Sequence, residues 1–161
     1  MKKRISLVLA LSFALAGVAL AEKVHQKSEG EAAYAGDGGS ALATKKIETK
    51  KVDGAEVARV TGATTQWGFV KYWLGIPTPA GHAVIRVRVL KTDEPTAKYA
   101  LYIGDKGPLA LTIPADAKNG DLVDIDIAVD IEKEWSGITL KKVSPDTLPG
   151  PWIDSFTVLV D

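Results

Sequence analysis

The chain contains no cysteine in 161 residues, so neither disulfides nor thiolate chemistry contributes to it. Histidine is nearly as scarce. The only two, His25 and His82, stand in a polar leader and in a Pro/Gly turn, without the pairing that a zinc or copper site requires. That separation also removes a Ser–His–Asp set, and no G-x-S-x-G elbow occurs. There is no P-loop and no dinucleotide fingerprint. An excess of one charge is missing too: 20 Lys and Arg balance 20 Asp and Glu, which argues against nucleic acid or an anionic lipid surface as partner. After residue 21 no apolar stretch is long enough to cross a bilayer.

What is present begins with an address. Met1, Lys2, Lys3 and Arg4 form a basic stretch, and residues 5–21 are uncharged and mostly apolar. The run ends in Ala19-Leu20-Ala21, an A-x-A cleavage pattern, and Glu22 and Lys23 follow at once. This is the layout of a secretory signal peptide, and the run falls short of the ~20 residues of a membrane span. The expected location is therefore outside the cytoplasm: periplasm, cell surface or medium. Removing residues 1–21 leaves 140 residues with 17 basic and 20 acidic side chains, a net charge of −3. That length suits one domain with its own core. The expected organisation is a signal peptide over 1–21, a polar glycine-rich leader and opening loop over 22–40, and a β domain over 41–161.

Period-2 alternation dominates the rest. Ile85, Val87 and Val89 alternate with Arg86 and Arg88; Tyr99, Leu101 and Ile103 with Lys98, Ala100 and Tyr102. Leu109, Leu111 and Ile113 alternate with Ala110 and Thr112, and Ile125, Ile127, Val129 and Ile131 with Asp124, Asp126, Ala128 and Asp130. Phe156, Val158 and Val160 complete the set. Each run predicts a half-buried strand, and shorter β-rich runs cover 56–61, 67–74 and 137–143. Pro and Gly punctuate the gaps. Eight or nine strands at this spacing predict an all-β sandwich or barrel.

The final third narrows the choice. Trp135-Ser136-Gly137-Ile138-Thr139-Leu140, the proline-rich stretch 144–151, and Gly150-Pro151-Trp152-Ile153-Asp154-Ser155-Phe156-Thr157-Val158 give a closing strand that opens with an aromatic, an aliphatic and an Asp. With Gly36-Asp37-Gly38-Gly39-Ser40-Ala41-Leu42 near the start and the aromatic stretch from Trp67 to Trp73, this resembles the galactose-binding-like jelly rolls. Those include many carbohydrate-binding modules of secreted glycoside hydrolases. The resemblance covers roughly residues 31–161. It implies a two-sheet antiparallel jelly roll that binds sugars on a concave sheet face or at the loop rim. It also implies a structural Ca²⁺, with Asp154 as the acid of the last strand and Glu31 and Asp37 supplied by the opening segment.

Candidate binding residues follow from chemistry. Sugar rings present apolar C–H faces, which suit stacking on Trp and Tyr, and their hydroxyls suit Arg and carboxylate partners. Trp67, Phe69, Tyr72 and Trp73 crowd one stretch, with Trp67, Phe69 and Trp73 on one side and Tyr72 on the other. Phe69 reads as core. Trp135 and Trp152, at loop boundaries, read as caps on the end of a sandwich core. Arg86, Arg88, Tyr102, Asp124 and Asp126 all project away from their apolar stripes. If their strands share a sheet, they form an Arg–Tyr–Asp surface. The alternative is a solvated face carrying cross-strand ion pairs. Three functions remain open on these residues. The first is a secreted, non-catalytic domain that binds a polysaccharide or glycan through Trp67, Tyr72, Trp73, Arg86, Arg88, Tyr102, Asp124 and Asp126. The second is a cell-envelope domain that contacts another protein. The third is a small glycoside hydrolase using the carboxylates of 124–130.

Overall fold

The computed structural model describes residues 23–29, 34–36, 47–60 and 69–160. Alternation is expressed as eleven antiparallel strands in two sheets. The first sheet holds β1 (Lys23–Glu29), β3 (Ile47–Val52), β4 (Ala55–Val60), β6 (Gly81–Leu90), β9 (Leu122–Ile131) and β11 (Trp152–Val160). Its order is β3-β4-β11-β6-β9, with β1 added along β11. The second sheet holds β2 (Tyr34–Gly36), β5 (Phe69–Thr78), β7 (Tyr99–Ile103), β8 (Lys106–Ala110) and β10 (Trp135–Lys142), in the order β2-β5-β10-β7-β8. This is the two-sheet antiparallel sandwich expected from the alternation, and the described residues contain no helix. Part of the polar leader, Lys23–Glu29, is itself strand and pairs with β11.

The apolar stripes meet between the sheets. Ile85, Val87 and Val89 of β6 and Phe156 and Val158 of β11 are fully buried against Leu101, Ile103, Ile138 and Leu140 of the facing sheet. Burying side chains of this size stabilises by about 1.5–3 kcal/mol each, which is how a cysteine-free domain holds together.

Turn chemistry sets the registers. Asp53 and Gly54 form the two-residue connection of β3 to β4, both with positive φ, as a tight hairpin requires. Gly104 and Asp105 return β7 into β8, with Ile103 opposite Lys106. That early return moves the strand expected over 109–113 back to Lys106–Ala110. Leu111 and Ile113 leave the ladder but still pack on the core.

Candidate functional site

The outer face of the first sheet is a ladder of opposite charges. Directly paired residues of antiparallel strands share a face. Arg86 stands opposite Asp126, Arg88 opposite Asp124 and His82 opposite Asp130. Arg86 donates two hydrogen bonds to the Asp126 carboxylate, Nε to Oδ1 and Nη2 to Oδ2, both at 2.7 Å. The bond from Arg86 holds the Asp126 carboxyl below its ordinary range. Arg88 lies between two carboxylates, with Nε 3.8 Å from Asp124 and 4.0 Å from Asp154. His82 Nδ1 is 3.0 Å from Asp130. Beside Arg88 and Asp124 opens a polar groove of about 690 Å³, also lined by Asp53, Asp116 and Asp121.

One end of this face is apolar. Trp152, Leu90 and Val57 form a small cluster with Val52 and Leu122, on the register row Trp152–Leu90–Leu122. Two cations cover the indole: Lys50 Nζ lies 4.3 Å and Arg59 Cζ 4.2 Å from the ring centroid. Arg59 is itself held, donating to Glu48 at 2.9 Å and to Glu94 at 2.7 Å. Its hydrogen bond, and after that its charge, keeps the Glu94 carboxyl below its usual range. With 5% exposure, Trp152 is not available for a sugar to stack on.

The outer face of the second sheet is different in kind. Its five strands carry no Asp or Glu, and their charged residues are Lys71, Lys106, Lys141 and Lys142. Lys142 is fully buried on a core row and meets the backbone carbonyl and, at 3.3 Å, the carboxylate of Asp146. Lys106 is engaged by Glu132 at 2.7 Å. Outward, Thr139 is flanked by Tyr102 and Lys71, and Lys141 by Ala100 and Phe69. Lys141 Nζ stands 4.9 Å from the centroid of the half-buried Tyr102 ring. The ring also packs on Gly107: a Cβ there would come within 2.5 Å of Tyr102 Cδ1, and the φ of +136° suits glycine alone. Further along the same face runs a mostly apolar groove of about 610 Å³, lined by Lys98, Ala100, Pro108, Ala110 and Val143.

The candidate residues therefore separate. Arg86, Arg88, Asp124 and Asp126 come together on the first sheet, where Arg86 and Asp126 satisfy each other. The ion-paired solvated face, weighed as the alternative, is what the ladder forms. Tyr102 does not join them, because β7 belongs to the second sheet, so the expected Arg–Tyr–Asp surface does not assemble. Trp73 pairs with Gly137 on an outward row of that second sheet, whereas Tyr72 pairs with Ile138 on a core row. Phe69 pairs with Lys141 in the register of β5 and β10. Trp67 lies outside the described residues, as do Glu31 and Asp37. Trp135, expected as a buried cap, is 41% exposed and lies over Gly104. Lys141, beside Tyr102, was not singled out in the sequence. The outward position of Lys141 in the alternation 138–142 was the available signal for it.

The calcium expectation rests on Asp154. This residue sits at the register shift of β11, is 8% exposed, and accepts a 2.8 Å hydrogen bond from the Ser155 hydroxyl. Arg88 already provides a cation beside it. Among the described residues no three His, Cys, Asp or Glu side chains gather to hold a metal. By themselves these residues do not compose a calcium site.

No protein-family model and no curated protein sequence matches the chain. Solved structures do. The C-terminal family 6 carbohydrate-binding module of a marine laminarinase from Zobellia galactanivorans aligns with a TM-score of 0.56 at 17% identity, over 83% of this chain and 98% of that one. A family 6 module of Cellvibrio mixtus lichenase 5A, in complex with cellotriose, aligns with a TM-score of 0.57 at 14% identity, over 86% and 99%. A family 35 module from Clostridium thermocellum gives 0.58 at 12% identity, over 84% and 99%. The likeness is one of fold: this chain has the two-sheet β-sandwich fold seen in carbohydrate-binding modules.

Proposed function

We propose that the chain is an exported, non-catalytic carbohydrate-binding domain that takes a polysaccharide or glycan on the outer face of its second sheet. The observation that carries this reading is Tyr102, a half-buried ring seated on Gly107, beside Lys141 and a mostly apolar groove. Such a groove with a few polar groups is the usual form of a small-ligand site, and its volume lies in the usual range of ~300–1,000 Å³. The tyrosine supplies a stacking surface for a pyranose ring, and Thr139 and Lys141 supply partners for hydroxyls. The register position of Trp73 extends the same face. A glycosidase would need two carboxyl groups about 5–9.5 Å apart across the bound sugar, and these strands carry none. The likeness to complete binding modules supports the same reading. A structural Ca²⁺ belongs to this proposal through Asp154, Glu31 and Asp37. Export belongs to it through the pattern of residues 1–21.

The test is retention of the purified protein on a panel of soluble and insoluble polysaccharides, with calcium and with chelator. Selective retention on at least one glycan, reduced about tenfold or more in a folded Tyr102→Ala variant, is expected; base-on-aromatic stacking of about 1–3 kcal/mol sets the scale. Equal retention of both proteins would overturn the site. Retention by neither would overturn the function and redirect the search to protein partners. A lower melting temperature in chelator would support the calcium site. Mass spectrometry of the exported protein is expected to show Glu22 as its first residue.

A further inference from the structure

Beyond the choice of face, the charge of that face narrows the ligand, and this step rests on the glycan-binding reading above. We infer that the ligand is an acidic polysaccharide whose rings carry carboxylates, a polyuronate, held by Lys141 beside Tyr102 and by Lys98 further along the same face.

The chain as a whole is neutral, so the bias is one of placement. Every Asp and Glu found on a described strand lies in the first sheet: Glu29, Glu48, Glu56, Asp124, Asp126, Asp130 and Asp154. The second sheet has only lysines. Of the acids at the ends of its strands, Glu132 is engaged by Lys106 and Asp146 by Lys142, while Glu134 stands before β10. Asp105 stands in the turn beyond Ile103. That leaves Lys141 over the Tyr102 ring and the exposed Lys98 at the mouth of the groove, neither in a salt bridge among the described residues. Lys98, at the entry to β7, and Lys141, on β10, thus sit on neighbouring strands spaced about 4.8 Å apart, with no carboxylate on those strands to neutralise them.

The chemistry of the pairing favours a uronate. Stacking on Tyr102 requires a free ring face. A carboxylate on the sugar's exocyclic carbon lies at the ring edge and leaves that face open. A pyranose seated on Tyr102 would move Lys141 Nζ from above the ring to the sugar's edge, where the carboxylate lies. An ammonium is a compact point charge that needs no bidentate geometry, so it can follow charges repeated along a chain.

Retention would be compared, in chelator and at a temperature where melting curves show the protein folded in that buffer, on polygalacturonate, on its methyl-esterified form, on a neutral glucan and on a sulfated glucan. The expected result is strongest retention on polygalacturonate, falling with salt because exposed charges are screened beyond about 10 Å at 0.1 M. Lys141→Gln and Lys98→Gln are each expected to weaken it up to about fivefold, the scale of one exposed ion pair, with unchanged melting. Arg86→Gln, on the other sheet, is expected to leave it unchanged. Equal retention of the ester or the neutral glucan would overturn the inference while leaving the glycan-binding function standing. Preference for the sulfated polymer would overturn the uronate assignment. Absence of retention on every polymer would overturn both.

Discussion

Arg86 and Asp126 face each other across β6 and β9, joined by two hydrogen bonds of 2.7 Å in a parallel, fork-to-carboxylate geometry. Both side chains are more than a third exposed, at 37% and 47%, so solvent screens the pair. A double-mutant cycle with Arg86→Gln and Asp126→Asn is expected to give a coupling of about 0.2–1 kcal/mol, smaller in high salt. Because the Asp126 carboxyl sits below its ordinary range, the contribution is present at neutral pH. It is lost as pH falls below about 4. Urea melts in steps from pH 7 down to about pH 2 measure it, and a coupling that does not decline anywhere in that range would contradict the assignment.

Gly107 and Tyr102 form the most geometrically demanding contact of the proposed site. Gly107→Ala would place a methyl group 2.5 Å from Tyr102 Cδ1 at a φ of +136°. The ring must move, and the backbone strain alone costs about 1–3 kcal/mol. Weaker glycan retention and a lower melting temperature are expected together. Tyr102→Ala should weaken retention with a much smaller loss of stability, which separates the two effects.

Tyr99 is buried, with a hydroxyl that has no hydrogen-bond partner among the described residues. Burial first, and the charge of Asp146 second, push its pKa from the ordinary 10 up to about 12. A folded-state value above the unfolded one means that the folded state holds the proton more tightly. Its contribution is therefore intact below pH 10 and is lost between pH 10 and 12. The loss amounts to about 3 kcal/mol at most. Tyr99→Phe is expected to change stability by no more than about 1 kcal/mol at pH 7, since no hydrogen bond is broken. It should also flatten the alkaline decline. Denaturant melts at pH 9 and pH 11.5 read both, and an equally steep decline in the variant would refute the role of Tyr99.

Lys142 is fully buried, yet it occupies a core row opposite Tyr99 and reaches Asp146 in the loop before β11. Lys142→Ala is expected to cost about 2–5 kcal/mol, the range for emptying a buried long side chain. Lys142→Met keeps the stem and should cost much less. Thermal melts of the two variants decide it. Equal losses would show that the ammonium, rather than the buried stem, supplies the stability.

Much of the fold was legible because alternation is local. Ile85, Val87 and Val89 face inward wherever β6 is placed, since successive side chains of a strand point to opposite sides. The same rule correctly turned Arg86, Arg88, Asp124 and Asp126 outward. At Lys142, two positions after the buried Leu140, the same alternation leads a lysine onto the core row, where its charge meets Asp146 four residues on. It could not place Trp135, whose exposure depends on the position of the β7–β8 turn beneath it.

What the sequence determined by itself was the alternation of sides along each strand, most of the turn positions and the absence of cysteine and histidine chemistry. These are properties of neighbouring residues along one strand. Which sheet each strand joins was decided only in the tertiary structure, because strand pairing is set by partners far away in sequence. That decision separated Tyr102 from the two arginines and sent the strand carboxylates to one sheet. It also left a face of lysine, threonine and tyrosine on the other.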